Sequence, residues 1–189
     1  MNEEMLKNFG PLGPLAGTWE GGPADDVAPG AARQKVINPY RERMVLDPLS
    51  PVANHEQKLF GFRYSTQAFR LGETDPFHDE VGYWLWDPKE ELLFKGVTIP
   101  RGMVLLAGGH AKADAKSFKL KAELGSHTFG ICSNPFLDVE FQTVKYEIEM
   151  KINGDGSMTY DQNTSIQIKG QKNIFEHRDI NTLRKISQA

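Results

Sequence analysis

Val144-Lys145-Tyr146-Glu147-Ile148-Glu149-Met150-Lys151-Ile152 alternates apolar and charged residues without a break. A period of two puts one kind of side chain on each face of an extended chain, so this is a half-buried strand. Asn153-Gly154-Asp155-Gly156 follows, four residues that tolerate the positive φ of a tight turn. Alternation resumes with Met158, Tyr160, Thr164, Ile166 and Ile168 on one face, which completes a hairpin. On the N-terminal side, Phe118, Leu120, Ala122 and Leu124 alternate with Lys119, Lys121 and Glu123 and form a third strand of the same kind. Val144, Tyr146, Ile148, Met150, Ile152, Phe118, Leu120 and Leu124 are therefore expected inside, and Lys145, Glu147, Lys119 and Lys121 outside.

Further out the pattern repeats less tidily. Strands are expected near 17–22, 34–47, 56–71, 77–87, 91–99 and 102–110, punctuated by Asp87-Pro88 and Ile99-Pro100. Residues 125–138 break the alternation and read as a long loop. Residues 1–16 read as a short helix or turn, because Pro11, Gly13 and Pro14 forbid a long helix. The count is about ten strands with hairpin-length connections, no internal repeat and no linker. One all-β domain over 1–189 is expected, an up-and-down antiparallel barrel occupying about 15–187.

Composition narrows the function classes. Of the 189 residues 25% are charged and 39% hydrophobic, enough for a packed core. A formal net charge of -3 gives no attraction to nucleic acid or anionic lipid. No apolar run reaches the roughly 20 residues of a membrane helix, and Met1 to Phe9 lacks a signal peptide's apolar stretch. A cytoplasmic protein without nucleic-acid or membrane partners is expected. Cys132 is the single cysteine, which excludes an internal disulfide and cysteine-based zinc or covalent haem attachment. Neither a Ser-His-Asp arrangement nor a phosphate-cradling glycine loop is found; Gly108-Gly109 lacks the following Lys-Ser/Thr.

Three blocks carry a resemblance. Gly10-Pro11-Leu12-Gly13-Pro14-Leu15-Ala16-Gly17-Thr18-Trp19-Glu20-Gly21 contains the Gly-x-Trp of the calycin barrels, where the indole plugs one end. Pro76-Phe77-His78-Asp79-Glu80-Val81-Gly82-Tyr83-Trp84 is the second block. Phe175-Glu176-His177-Arg178-Asp179 with Asn181-Thr182-Leu183 is the third. In order and spanning nearly the whole chain, they resemble the nitrobindin-like haem-binding family, also found at the end of some eukaryotic THAP-type proteins.

The resemblance implies a ten-stranded barrel with one non-covalent ferric haem b, a proximal histidine on the last strands and an open distal side. Nitric oxide binding and isomerisation of peroxynitrite to nitrate are attributed to the family. Carried over, His177 would ligate the iron. Phe175-Glu176 before His177 replaces the family's proline-bearing run, and the spacing to Leu183 is about a residue longer.

For each residue a plainer role stands beside the functional one. His177 shares strand parity with Phe175 and either ligates or is a structural histidine of the last strand. His78 either faces the distal side or bonds a neighbouring carboxylate, with Asp79 and Glu80 adjacent. Tyr83, Trp84 and Trp86 either line a ligand pocket or pack the core. Met44, Met103, Met150 and Met158 either flank a flat ligand or fill gaps. His55, His110 and His127 are assigned no role. The rival occupant is a fatty acid or other small apolar ligand, whose carboxylate internal arginines would hold; Arg41, Arg43 and Arg63 are the candidates. Oligomeric state stays open, with a homodimer as one option.

Overall fold

The computed structural model describes residues 3–188. A short helix α1 (Glu3–Leu6) and a 3-10 segment (Lys7–Leu15) lead into twelve strands. These are β1 (Gly17–Pro29), β2 (Lys35–Pro48), β3 (Val52–Asn54), β4 (Gln57–Arg70), β5 (His78–Asp87) and β6 (Leu92–Ile99). Then come β7 (Met103–His110), β8 (Ser117–Leu124), β9 (Gly130–Ser133), helix α2 (Pro135–Glu140), β10 (Phe141–Ile152), β11 (Met158–Ile168) and β12 (Phe175–Ser187). All twelve belong to one sheet, and the pairing of β2 with β4 closes it. Only β3 lies outside the circuit, so eleven strands form the barrel. Neighbours are antiparallel except β8 and β9, which run parallel. Among the described residues no helix is long and apolar enough to cross a membrane.

The hairpin forms as its alternation requires, with Ile152 opposite Met158 and Phe141 opposite Ile168. Tyr146, Ile148, Met150, Phe118 and Leu120 are buried, and Glu147, Lys119 and Lys121 are exposed. Two expectations fail locally. A register shift between Thr143 and Lys145 turns Thr143 inward and leaves Val144 and Lys145 half-buried. Leu124 is exposed, because β8 ends there and the chain turns at Gly125, whose φ is 81°.

The segment 125–138 is not a structureless loop. It supplies β9, which fills the gap between β8 and β7, and then α2. Asn134 caps α2 by accepting from the backbone N–H groups of Phe136 and Leu137, with Pro135 in the first turn. The motif was too short to show helical periodicity.

One end of the barrel is plugged. Phe9, Leu12 and Leu15 of the 3-10 segment are buried against Trp19, Phe60, Phe62 and Trp86. Trp19 Nε1 donates to Leu15 O at 2.8 Å. Gly17 has φ 125°, and a Cβ there would collide with Ser187 O at the end of β12. The glycine of the Gly-x-Trp block thus brings the first strand against the last one.

Candidate functional site

The opposite end opens into a cavity of about 930 Å³, within the usual range for cofactor sites of roughly 300–1,000 Å³. Its upper walls are apolar, with Phe77, Ile99, Met103, Leu137, Phe141 and Ile166 among them. Arg70 and Arg101 stand at the rim over the rings of Phe77 and Phe141, 4.8 and 5.6 Å from their centroids.

The floor is polar, and a bulge in β1 helps to build it. Gly21 is opposite Leu183 and Asp26 is opposite Asp179, so β1 spends one residue more than β12 over that interval. An extra residue inverts the parity of everything beyond it. Trp19 faces the core before the bulge, and Asp26 and Ala28 face the cavity after it.

His177 and Asp179 lie on the same face of β12, and both line the cavity. His177 Nε2 is 2.7 Å from Asp26 Oδ1. Asn38 Nδ2 donates to the other Asp26 oxygen at 3.0 Å. Burial works against the Asp26 charge, but the hydrogen bonds and charge of His177 and the bond from Asn38 hold its carboxyl below the usual range. Asp179 Oδ2 accepts from Gln162 Nε2 at 3.4 Å, while its Oδ1 is shut off from solvent with no hydrogen-bond partner. Burial pushes the Asp179 carboxyl up to about 6.

Deeper in, Glu42 is enclosed. Tyr160 Oη donates to its Oε2 at 2.6 Å and Asn181 Nδ2 does so at 3.0 Å. Burial pushes Glu42 up to about 7. Across the floor, Lys95 Nζ pairs with Glu80 Oε1 at 2.9 Å and donates to Tyr146 Oη at 2.8 Å. Tyr64 Oη donates to Glu80 at 2.7 Å. Burial opposes both charges, but each partner outweighs it, so Glu80 is held low and Lys95 high.

His78 also lines the cavity, with Nε2 3.7 Å from Glu80 Oε2. Burial opposes its protonation, and the Glu80 carboxylate more than compensates, so its pKa is raised. His78 thus both pairs with a carboxylate and borders the cavity.

Tyr83, Trp84, Trp86, Met150 and Met158 are not brought to the cavity. Tyr83 is 49% exposed on the outer face of β5, because it has the opposite parity to Trp84. Trp84 and Met150 are buried in the core below the floor, as are Trp86 and Met158. Met44 and Met103 do line the cavity. His55, His110 and His127 are exposed. The three candidate arginines do not enter the cavity. Arg43 pairs with Glu20 and Arg63 with Asp47 on the outside, and Arg41 lies over Phe69, 4.2 Å from its centroid. Sequence reading missed Asp26, Glu42 and Lys95. Glu42 sits between two arginines and Lys95 beside a phenylalanine of the opposite parity, so neither reads as inward, and the bulge in β1 cannot be read from composition.

The donor set suits a porphyrin. Two imidazoles face a space with apolar walls, and arginines stand at the rim where propionates would emerge.

A family model described as the THAP4-like, heme-binding beta-barrel domain matches residues 8–185. Among solved structures, Rv2717c from M. tuberculosis is similar with a TM-score of 0.62 at 19% identity, covering 93% of this chain and 95% of that one. That likeness bears on the fold alone. No curated protein matches the chain.

Proposed function

Because the chain belongs to the THAP4-like haem-binding β-barrel family, we propose that its cavity holds a non-covalent haem b with the His177 imidazole as the iron's ligand. The observation that carries this reading is the placement of His177, a cavity-lining imidazole with a carboxylate 2.7 Å behind one ring nitrogen. Ligating histidines are commonly oriented in this way, the partner fixing tautomer and ring angle. Nε2 faces Asp26, which holds the ring at the cavity wall. The apolar upper walls would cover the porphyrin faces, and Arg70 and Arg101 would meet its propionates. Anionic Asp26 beside the ligand favours the ferric state.

When bound, ferric haem would supply an iron able to bind nitric oxide or to isomerise peroxynitrite. The chain's own contribution is the orientation of His177, the shape of the cavity and the second imidazole, His78 on β5. A fatty acid fits the same space less well, since its head group would meet carboxylates at the floor, and the cavity's arginines, Arg70 and Arg101, stand only at the rim.

Reconstitution with haem tests the proposal. The unmodified chain should give a saturable Soret band. His177→Ala should lose that feature while keeping its far-ultraviolet β signature, and His78→Ala should retain it. Equal haem affinity and an identical spectrum in His177→Ala would overturn the assignment.

A further inference from the structure

We propose that in the haem-free protein Asp26, His177 and Asp179 form a site for one divalent transition-metal ion, and that this ion and haem compete for His177. Only the second clause rests on the haem reading.

The geometry comes from strand pairing. His177 and Asp179 are two residues apart on β12, and Asp26 is the direct cross-strand partner of Asp179. One donor atom from each of the three lies within 4.8 Å of the other two. A tetrahedral ion with bonds of about 2.1 Å holds its donors about 3.4 Å apart. Small rotations of these side chains would close the difference.

The hydrogen bonds around the three residues are arranged to suit an ion. Asn38 takes Asp26 Oδ2 and Gln162 takes Asp179 Oδ2. Each carboxylate is thereby oriented by one oxygen, which is how outer partners prepare metal ligands. On Asp26 the remaining oxygen faces His177 Nε2. On Asp179 the remaining oxygen is buried and has no partner among the described residues. A buried carboxylate oxygen without a donor is costly, and like charges directly opposite in a ladder repel. A cation between the carboxylates removes both penalties.

Of the surrounding charges, Glu80 adds negative charge near Asp179 and His78 offsets part of it, while Lys95 is already committed to Glu80. One imidazole and two carboxylates suit Zn²⁺, Co²⁺, Fe²⁺ or Mn²⁺ rather than a soft ion. Three protein ligands leave a coordination position for a molecule in the cavity.

The test uses haem-free, chelator-treated full-length protein titrated with Co²⁺ alone and read by its visible d–d absorption. Calorimetry with Zn²⁺ is run in parallel. One saturable equivalent is expected. His177→Ala should abolish it. Asp179→Asn should weaken it by more than the roughly 10–100-fold that loss of an outer partner costs, whereas Asn38→Ala should fall within that range. Asp179→Asn removes a repulsion, and its far-ultraviolet spectrum should be unchanged, so unfolding would not imitate the loss. Absence of a saturable equivalent, or undiminished binding in Asp179→Asn, would overturn the site. Zn²⁺-loaded protein should take up haem more weakly than metal-free protein; equal uptake would overturn the competition. If metal-free protein takes up no haem while Co²⁺ binding persists, the haem reading fails and the ion site stands.

Discussion

Lys95 Nζ and Glu80 Oε1 are 2.9 Å apart inside the barrel, with only 3% and 6% of their side chains exposed. Neither charge has water to fall back on. Lys95→Met should therefore cost about 3–5 kcal/mol, because it leaves Glu80 charged and buried without its partner. The double change Lys95→Met with Glu80→Gln should cost less than Lys95→Met alone. Urea unfolding followed by tryptophan fluorescence measures both, and a neutral Lys95→Met would contradict the pairing.

Trp19 is 2% exposed, and its indole N–H is held by Leu15 O. Trp19→Ala should lower stability by about 3–5 kcal/mol, the usual range for emptying so large a core site. Its thermal midpoint should fall by several degrees or more. An unchanged midpoint would mean that the plug carries no weight in the fold.

Glu42 gives a pH dependence with a definite sign. Its folded pKa is raised to about 7 by burial, while an unfolded glutamate titrates near 4.3. Between these values the folded state holds the extra proton, so stability falls as pH rises through that window and levels off above it. The full difference is on the order of 3 kcal/mol. Glu42→Gln should lack this fall, so its stability relative to the unmodified chain should be greater at pH 8 than at pH 4.5. Parallel curves for the two proteins would show that Glu42 is ionised throughout.

Gly17 joins the first strand to the end of the last with φ 125° and no room for a Cβ. Gly17→Ala should cost on the order of 1–3 kcal/mol in backbone strain. The damage should concentrate at the seam, with amide exchange faster around Thr18 and Ser187, which are register partners. Uniformly unchanged exchange would show that the seam tolerates the methyl group.

The barrel was legible because its strands alternate, and the hairpin from Val144 to Ile168 set the pattern. The inward position of His177 was legible through its place on the last strand. Asp26 was not: the strand was expected to stop near residue 22, and only the bulge against β12 carries it on and turns Asp26 inward. Glu42 lies between Arg41 and Arg43, and Lys95 lies between Phe94 and Gly96. Polar side chains in such settings usually meet water, and only closure of the sheet reveals that these do not. Tyr83 failed for the complementary reason. Aromatic density on β5 suggested one shared pocket, but adjacent residues of a strand face opposite sides.

Closure of the sheet through β2 and β4 also bears on how copies of the chain behave toward one another. Among the described strands, β3 alone is paired on one side only. It has three residues, all exposed, and Pro51 precedes it. So short a ribbon beside a proline offers little for another chain to extend. Among the described strands the folded barrel therefore offers amyloid-like stacking no long free edge, and a chain that has already opened is the better starting point.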